Sequence, residues 1–206
     1  MVVVIDVLRA FTVSAYAIAG GASEVIYVAD LEEARRVARS IPGAVLSAEK
    51  EGLPVAGVPL SNSPTMVAAT DLRGRVLVQR SSAGVQALAA AVEAEALLAA
   101  SLVVVSATAR LILRSAPDLL TVVPSRPDHH EDIACASYLE ALLGGETPDL
   151  DRLLEPLRAS GRYARQIRDE WPGFPHTDLD LALAVDTFDF ALPVEHGEHG
   201  HLRVRP

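Results

Sequence analysis

The chain has 206 residues, half of them hydrophobic but only 4% aromatic, and a formal net charge of −9. That length suits one domain with a sizeable core, and a core of Val, Leu, Ile and Ala fits the buried parallel strands of an α/β protein better than an all-β sandwich. The acidic balance argues against nucleic-acid binding, which selects an excess of Lys and Arg, and one cysteine rules out an internal disulfide, as in a reducing cytoplasm.

The opening "MVVVI" has no basic stretch before it and is too short for a secretory leader, and no apolar run reaches the ~18 residues of a membrane span. Val2–Ile5 reads as a short, wholly apolar strand. Arg9–Ala19 reads as a helix stopped by Gly20-Gly21, and Glu24–Val28 as the next strand. Asp30, with Glu33 three residues on, predicts a capping box for the helix of "LEEARRVARS". Ala44–Ser47 is a third strand. The irregular "AEKEGLPVAGVPLSNSP" follows, long enough to suggest a functional loop.

Pro64 can start a helix. Arg75–Val78 reads as a strand, "SSAG" as a turn into an Ala-rich helix from about Gly84, and Ala96–Ala99 as a further strand. "SATARLILR" is helical, Leu119–Val123 a strand, and Glu131–Leu143 a helix by its 3.6-residue period. From Asp149 the composition shifts to Arg- and Asp-rich helical segments, expected to form a small lobe over the sheet. "FDFALPVE" is read as a last strand and "EHGEHGHLRVRP" as a loose tail. The expectation is a three-layer α/β/α fold with a mostly parallel or mixed sheet. Residues 1–148 would form its core, and 149–206 would complete the same domain.

In open α/β sheets ligands gather at the carboxyl ends of strands. Asp6 stands at such an end, with Arg9 in the first turn of the next helix, where free N–H groups already favour an anion. Glu49 follows the third strand and Ser81 and Ser82 the fourth. Arg126, Asp128, Glu131 and Asp132 follow the strand at Leu119–Val123. Together they describe an acidic, oxygen-rich rim, suited to Mg²⁺ and a phosphorylated substrate. Each has a plainer reading. Asp6–Arg9 can be a local ion pair that caps a helix. Glu49 can be a solvated acid, and Asn62 and Ser63 an Asx turn. Ser81 and Ser82 can be caps, and Glu131 and Asp132 partners of a helix dipole. Cys135 reads as an inert packed thiol and His129-His130 as a solvated loop. His196, His199 and His201 read as tail, and Asp186 and Asp189 as structural hydrogen-bonders.

"VVVIDVLRAFTVSAYAIAGGASEVIYV", "SAEKEGLPVAGVPLSNSP", "VLVQRSSAGVQAL" and "HEDIACASYLEALL" resemble, in order, the motif series of the 2-phosphosulfolactate phosphatase family. "GRYARQIRDEW…DLDLALAVDTFDFALPV" is similar to that family's C-terminal region. The resemblance implies a Mg²⁺-dependent phosphoric monoester hydrolase that converts 2-phosphosulfolactate to sulfolactate and phosphate, a step of coenzyme M biosynthesis, and the single cysteine and absence of a leader suggest a cytoplasmic place for it. It implies a three-layer fold. The matching positions are Asp6 and Arg9, Glu49, Asn62 and Ser63, the turn Ser81, Ser82 and Gly84, and Glu131, Asp132 and Cys135.

On that reading Asp6, Arg9, Ser81, Ser82 and Glu131 are catalytic, and Asp6, Glu49 and Asp132 hold Mg²⁺. Arg9, Asn62, Ser63, Arg80, Gly84 and Arg126 bind substrate. Where the family carries a Thr-Thr-Asn-Gly-Thr turn, this chain reads "SSAGV", with Ala83 and Val85 in place of polar groups. The family's double glycine before the loop acid is "SA" ahead of Glu49, and its segment preceding the first strand has no counterpart before Val2. Lost polar groups change what a pocket can pair with. Two other classes stay open: a non-catalytic binder of an anionic metabolite, and a structural oligomer whose acid–base pairs are caps. Alanine-rich faces leave room for a homodimer.

Overall fold

The computed structural model describes residues 1–197 and 200–206. Nine strands form one mixed sheet. They are β1 (Val2–Ile5), β2 (Glu24–Tyr27), β3 (Val45–Lys50), β4 (Leu53–Pro54), β5 (Val76–Arg80), β6 (Leu97–Ala100), β7 (Thr121–Pro124), β8 (Leu192–His196) and β9 (Leu202–Val204), in the order β4-β3-β5-β2-β9-β8-β6-β1-β7. β1 lies parallel between β6 and β7, and β5 parallel between β2 and β3. The antiparallel pair β8–β9 joins these two parallel halves, so they run in opposite directions along the sheet.

This changes two expectations. The "loose tail" supplies β9, whose Val204 is fully buried in the middle of the sheet. Leu202 and Val204 alternate with Arg203, so one face of a three-residue strand enters the core while the arginine pairs with Glu195 and Glu24. The last strand of "FDFALPVE" begins only at Leu192. Phe188 and Phe190 instead stack on each other and pack beside the core. The long loop is also shorter than expected, because β3 runs on to Lys50 and turns into β4.

Helices cover both faces: α1 (Ala10–Ala19), α2 (Leu31–Ser40), α3 (Pro64–Ala68), α4 (Gly84–Ala90), α5 (Val105–Ser115), α6 (His130–Leu143) and the short α7 (Leu150–Leu153), α8 (Glu155–Arg158), α9 (Gly161–Ile167) and α10 (Thr177–Ala182). One apolar cluster joins Val4 of β1 to Val25 of β2 and Leu77 of β5 around Phe11 and Val13 of α1. On the other face of β1, Val3 and Ile5 pack with Ile112, Leu139, Leu157 and Leu179 of α5, α6, α8 and α10. Leu46 and Val78 pack under Ala34 of α2. The three-layer α/β arrangement expected from the sequence is present, and the C-terminal helices share the core of the first half of the chain. No helix among the described residues is long and apolar enough to cross a membrane.

Candidate active site

Asp6 ends β1, and its buried carboxylate stitches the two half-sheets together. Oδ1 accepts from the N–H of Ala10, the first residue of α1, at 3.0 Å, and Oδ2 from Gly84, the first residue of α4, at 2.8 Å. Two helix N-termini therefore point at one carboxylate, which favours its charge. A Cβ on Gly84 would lie 2.5 Å from Oδ2, so only glycine admits this approach. Burial and the nearby Asp132 outweigh the two helix ends and push Asp6 up to about 6.

Arg9 does not pair with Asp6. Its guanidinium is buried, lies 3.6 Å over the Phe174 ring, and donates from Nη1 to Gly173 O (2.9 Å) and Asp178 Oδ2 (3.3 Å) and from Nη2 to Gly52 O (3.4 Å). Nε and one Nη2 hydrogen keep no partner among the described residues. Asp178, fully buried, also accepts from Ser63 Oγ at 2.6 Å and Thr65 N at 3.1 Å. Burial lowers the Arg9 pKa, and Asp178 pulls it back.

These groups face a cavity of about 450 Å³, in the range of small-ligand sites. Of the residues singled out in the sequence, Asp6, Arg9, Glu49, Asn62, Ser81, Ser82 and Arg126 line it. Asp128 and His129 line it too, so the half-buried His129 is part of the cavity wall and not of a solvated loop. The remainder sit elsewhere. Ser63 caps α3 and holds Asp178. Arg80 turns back to Ala29 O, Glu49 O and Ser82 Oγ. Gly84 lies against Asp6, and Glu131 and Asp132 are fully buried next to the cavity. Glu49 takes the N–H of Gly52 at 2.5 Å and that of Ser82. Ser81 Oγ caps α4 through Val85 N at 3.0 Å.

His129, Glu131 and Asp132 bring potential ligand atoms within 4.8 Å of one another. Asp132 accepts from Val7 N at 2.7 Å and Ser125 Oγ at 2.6 Å, and His129 Nδ1 lies 3.4 Å from it. Glu131 has both oxygens sealed from water with no hydrogen-bond partner among the described residues, although Arg162 Nη1 stands 2.8 Å away. Burial pushes Asp132 up to about 6 and raises Glu131. Burial also lowers His129, helped by Arg162. The unpartnered oxygens of Glu131 beside the Asp132 carboxylate fit a hard divalent cation. Glu49 and its amide donors stand apart from this cluster.

Sequence reading missed Arg162 and Phe174, which line the cavity from the C-terminal segment, and Gly173 and Asp178, which hold Arg9 from behind. Gly173 and Asp178 lie more than 150 positions from Arg9, and Arg162 more than 150 from Leu8, so no local spacing announces them. Cys135 is fully buried, and desolvation raises its thiol well above the usual range, leaving a neutral packing residue. Asp186 takes the N–H and hydroxyl of Ser106 at the start of α5, and Asp189 pairs with Arg110. His196 ends β8 and His201 faces Glu33 at 3.6 Å, while His199 lies outside the described residues.

The model of the 2-phosphosulpholactate phosphatase family matches residues 1–168. The chain belongs to that family. It is thereby an enzyme of the phosphoric monoester hydrolase class. A protein of Bacillus subtilis named probable 2-phosphosulfolactate phosphatase is 29% identical over 94% of this chain and 86% of its own length. A Deinococcus radiodurans protein of the same name is 31% identical over 89% and 80%, and one of Thermoplasma acidophilum 30% over 89% and 81%. In this member the segment 171–178 that seats Arg9 lies beyond the stretch the family model covers.

Proposed function

We propose that the chain hydrolyses 2-phosphosulfolactate to sulfolactate and phosphate in the manner of coenzyme M biosynthesis, with Mg²⁺ as cofactor, in the cytoplasm. The observation that carries this reading is the convergence of Asp6, Arg9, Asn62, Ser81 and Ser82 on one cavity in a chain of this family. The net charge of −9 would repel a multiply charged anion, yet Arg9, Arg126 and Arg162 reverse the field locally.

Phosphate monoester hydrolysis asks for charge neutralisation and an aligned nucleophile more than covalent chemistry. Arg9, held from behind by Asp178 and Phe174, offers its free N–H groups to the phosphoryl oxygens. Arg126 is exposed, makes no ion pair among the described residues, and takes the second acidic group of the substrate. Asn62 and the hydroxyls of Ser81 and Ser82 donate to remaining oxygens. Asp6, Asp132 and Glu131 hold the Mg²⁺, and Glu49 orders the loop at Gly52 and the turn at Ser82. Bound there, Mg²⁺ supplies Lewis-acid neutralisation of the phosphoryl oxygens. His129, neutral through burial and oriented by Asp132, is the proton acceptor for an attacking water.

The test is phosphate release from a panel of phosphorylated hydroxy acids, with Mg²⁺ or with EDTA. Release is expected to be fastest with 2-phosphosulfolactate and abolished by EDTA. Sulfolactate binding without any release would instead mark a non-catalytic binder.

A further inference from the structure

Behind Asn62 runs a sealed chain of hydrogen bonds that does not itself reach the cavity. Tyr27 OH donates to Ser14 Oγ at 2.9 Å, and Ser14 Oγ donates to Gln79 Oε1 at 2.7 Å. Gln79 Nε2 donates to the carbonyl of Ala10 at 2.7 Å and to Asn62 Oδ1 at 2.8 Å. Gln79 and Ser14 are fully buried, and Tyr27 and Asn62 are 3% exposed.

The polarity of this chain is forced. A backbone carbonyl can only accept, so the group of Gln79 facing Ala10 is its amino group, and its oxygen faces Ser14. The second hydrogen of that amino group points at Asn62, which must then present oxygen, since two facing amino groups would leave buried donors unpaired. Asn62 Nδ2 is therefore turned the other way. It has no protein partner among the described residues and is not among the sealed, unpaired atoms, and Asn62 lines the cavity.

We propose that Gln79 is a positioning residue that locks Asn62 with its two N–H donors toward the cavity, so that this wall accepts an anionic oxygen and rejects a cation or a hydrogen-bond donor. The relay runs from Tyr27 on β2 and Ser14 on α1 through Gln79 on β5 to Asn62 in the segment between β4 and α3, and so links core packing to ligand polarity. The proposal deepens the phosphatase reading by fixing the ligand chemistry at one wall, and it rests on that reading only for the name of the ligand.

Calorimetry with inorganic phosphate and with sulfolactate, beside phosphate-release kinetics, tests it on wild type, Gln79→Met, Asn62→Ala and the double variant. Gln79→Met frees Asn62 to rotate. It is expected to weaken phosphate binding about tenfold and to raise KM more than it lowers kcat. In the double variant it should add nothing to the loss from Asn62→Ala. A purely structural role would lower Tm in both backgrounds and leave the affinity unmoved. Should Gln79→Met not fold, Gln79→Glu keeps the shape but has at most one donor for two acceptors, and the same weakening is expected.

A folded Gln79 variant that binds phosphate like wild type overturns the proposal, as do losses that multiply in the double variant. Wild-type protein that binds phosphate without hydrolysing the ester refutes the phosphatase reading and leaves this inference standing if Gln79→Met weakens binding. Wild type that binds neither phosphate nor sulfolactate overturns both.

Discussion

Asp6 carries opposing demands. Two helix N-termini favour its charge, and burial beside Asp132 disfavours it more, so its pKa stands at about 6 against an ordinary 3.8. Asp132 and Glu131 are raised as well. A raised folded pKa means that the folded state binds more protons between 3.8 and about 6, so stability falls as pH rises through that window. His129, whose pKa is lowered, works in the opposite direction, but it is one group against three. Metal-free protein is therefore expected to melt at a higher temperature at pH 5 than at pH 7, in EDTA. A melting temperature that climbs steadily from pH 5 to 7 contradicts the raised carboxylates.

Gly84→Ala forces a methyl group against the Asp6 carboxylate. It should cost about 1–3 kcal/mol of stability and lower phosphate release. Asp178→Asn weakens the anchor behind Arg9. The expected loss in kcat/KM is roughly 10- to 100-fold, with Arg126→Ala showing a rise in KM instead. At this scale the sequence was readable wherever a cavity-lining residue follows a strand, as with Asp6, Ser81 and Arg126, while Asn62 was found through the resemblance of "NSP". Asp178 and Arg162 gave no such sign, because "TDLDLA" and "GRYARQ" look like ordinary amphipathic helix until the chain folds them onto β1, and Phe174 stands in the irregular stretch between them.

Among the elements, the strands and helices before residue 145 other than β4, which fell in the expected loop, lie within a few residues of their sequence-based bounds, because each has a strong pattern or a cap. Asp30 accepts from Glu33 N as the capping box requires, and Pro64 opens α3 behind the Ser63 cap. The C-terminal strand β9 was missed for a physical reason. It has only three residues, Leu202–Val204, flanked by His, Gly and Arg, and its place is set by pairing with β2 and β8 rather than by local propensity. Its contribution is nonetheless large. Burying Leu202 and Val204 is worth about 1.5–3 kcal/mol each, to which the ladders on both sides add, against a total of about 5–15 kcal/mol for a domain. A chain ending at residue 201 is expected to lose its cooperative thermal transition and become protease-sensitive. A truncated protein that melts like the full chain would show that β9 is dispensable.

Across the whole molecule, the sheet reconciles two parallel halves that run in opposite senses. From β5 to β1 there are five neighbour-to-neighbour steps. At roughly 20–25° of twist per step they accumulate to over about 100°. The carboxyl ends of the two halves are thereby swung back toward each other, and the Asp6–Gly84 hydrogen bond is where they meet. The segment of residues 150–182 then closes the cavity from the side, bringing Arg162 and Phe174 to it and Asp178 behind Arg9. Ligand chemistry thus arises from long-range geometry, while the layers themselves follow from local pattern.

The most direct test of this geometry as a catalytic site is the rate of phosphate release from 2-phosphosulfolactate by wild type and by Arg9→Ala in the presence of Mg²⁺. Wild type is predicted to turn over, and Arg9→Ala, shown to be folded, to be slower by about 10²–10³. Release by folded Arg9→Ala at the wild-type rate would place the chemistry elsewhere and contradict the account.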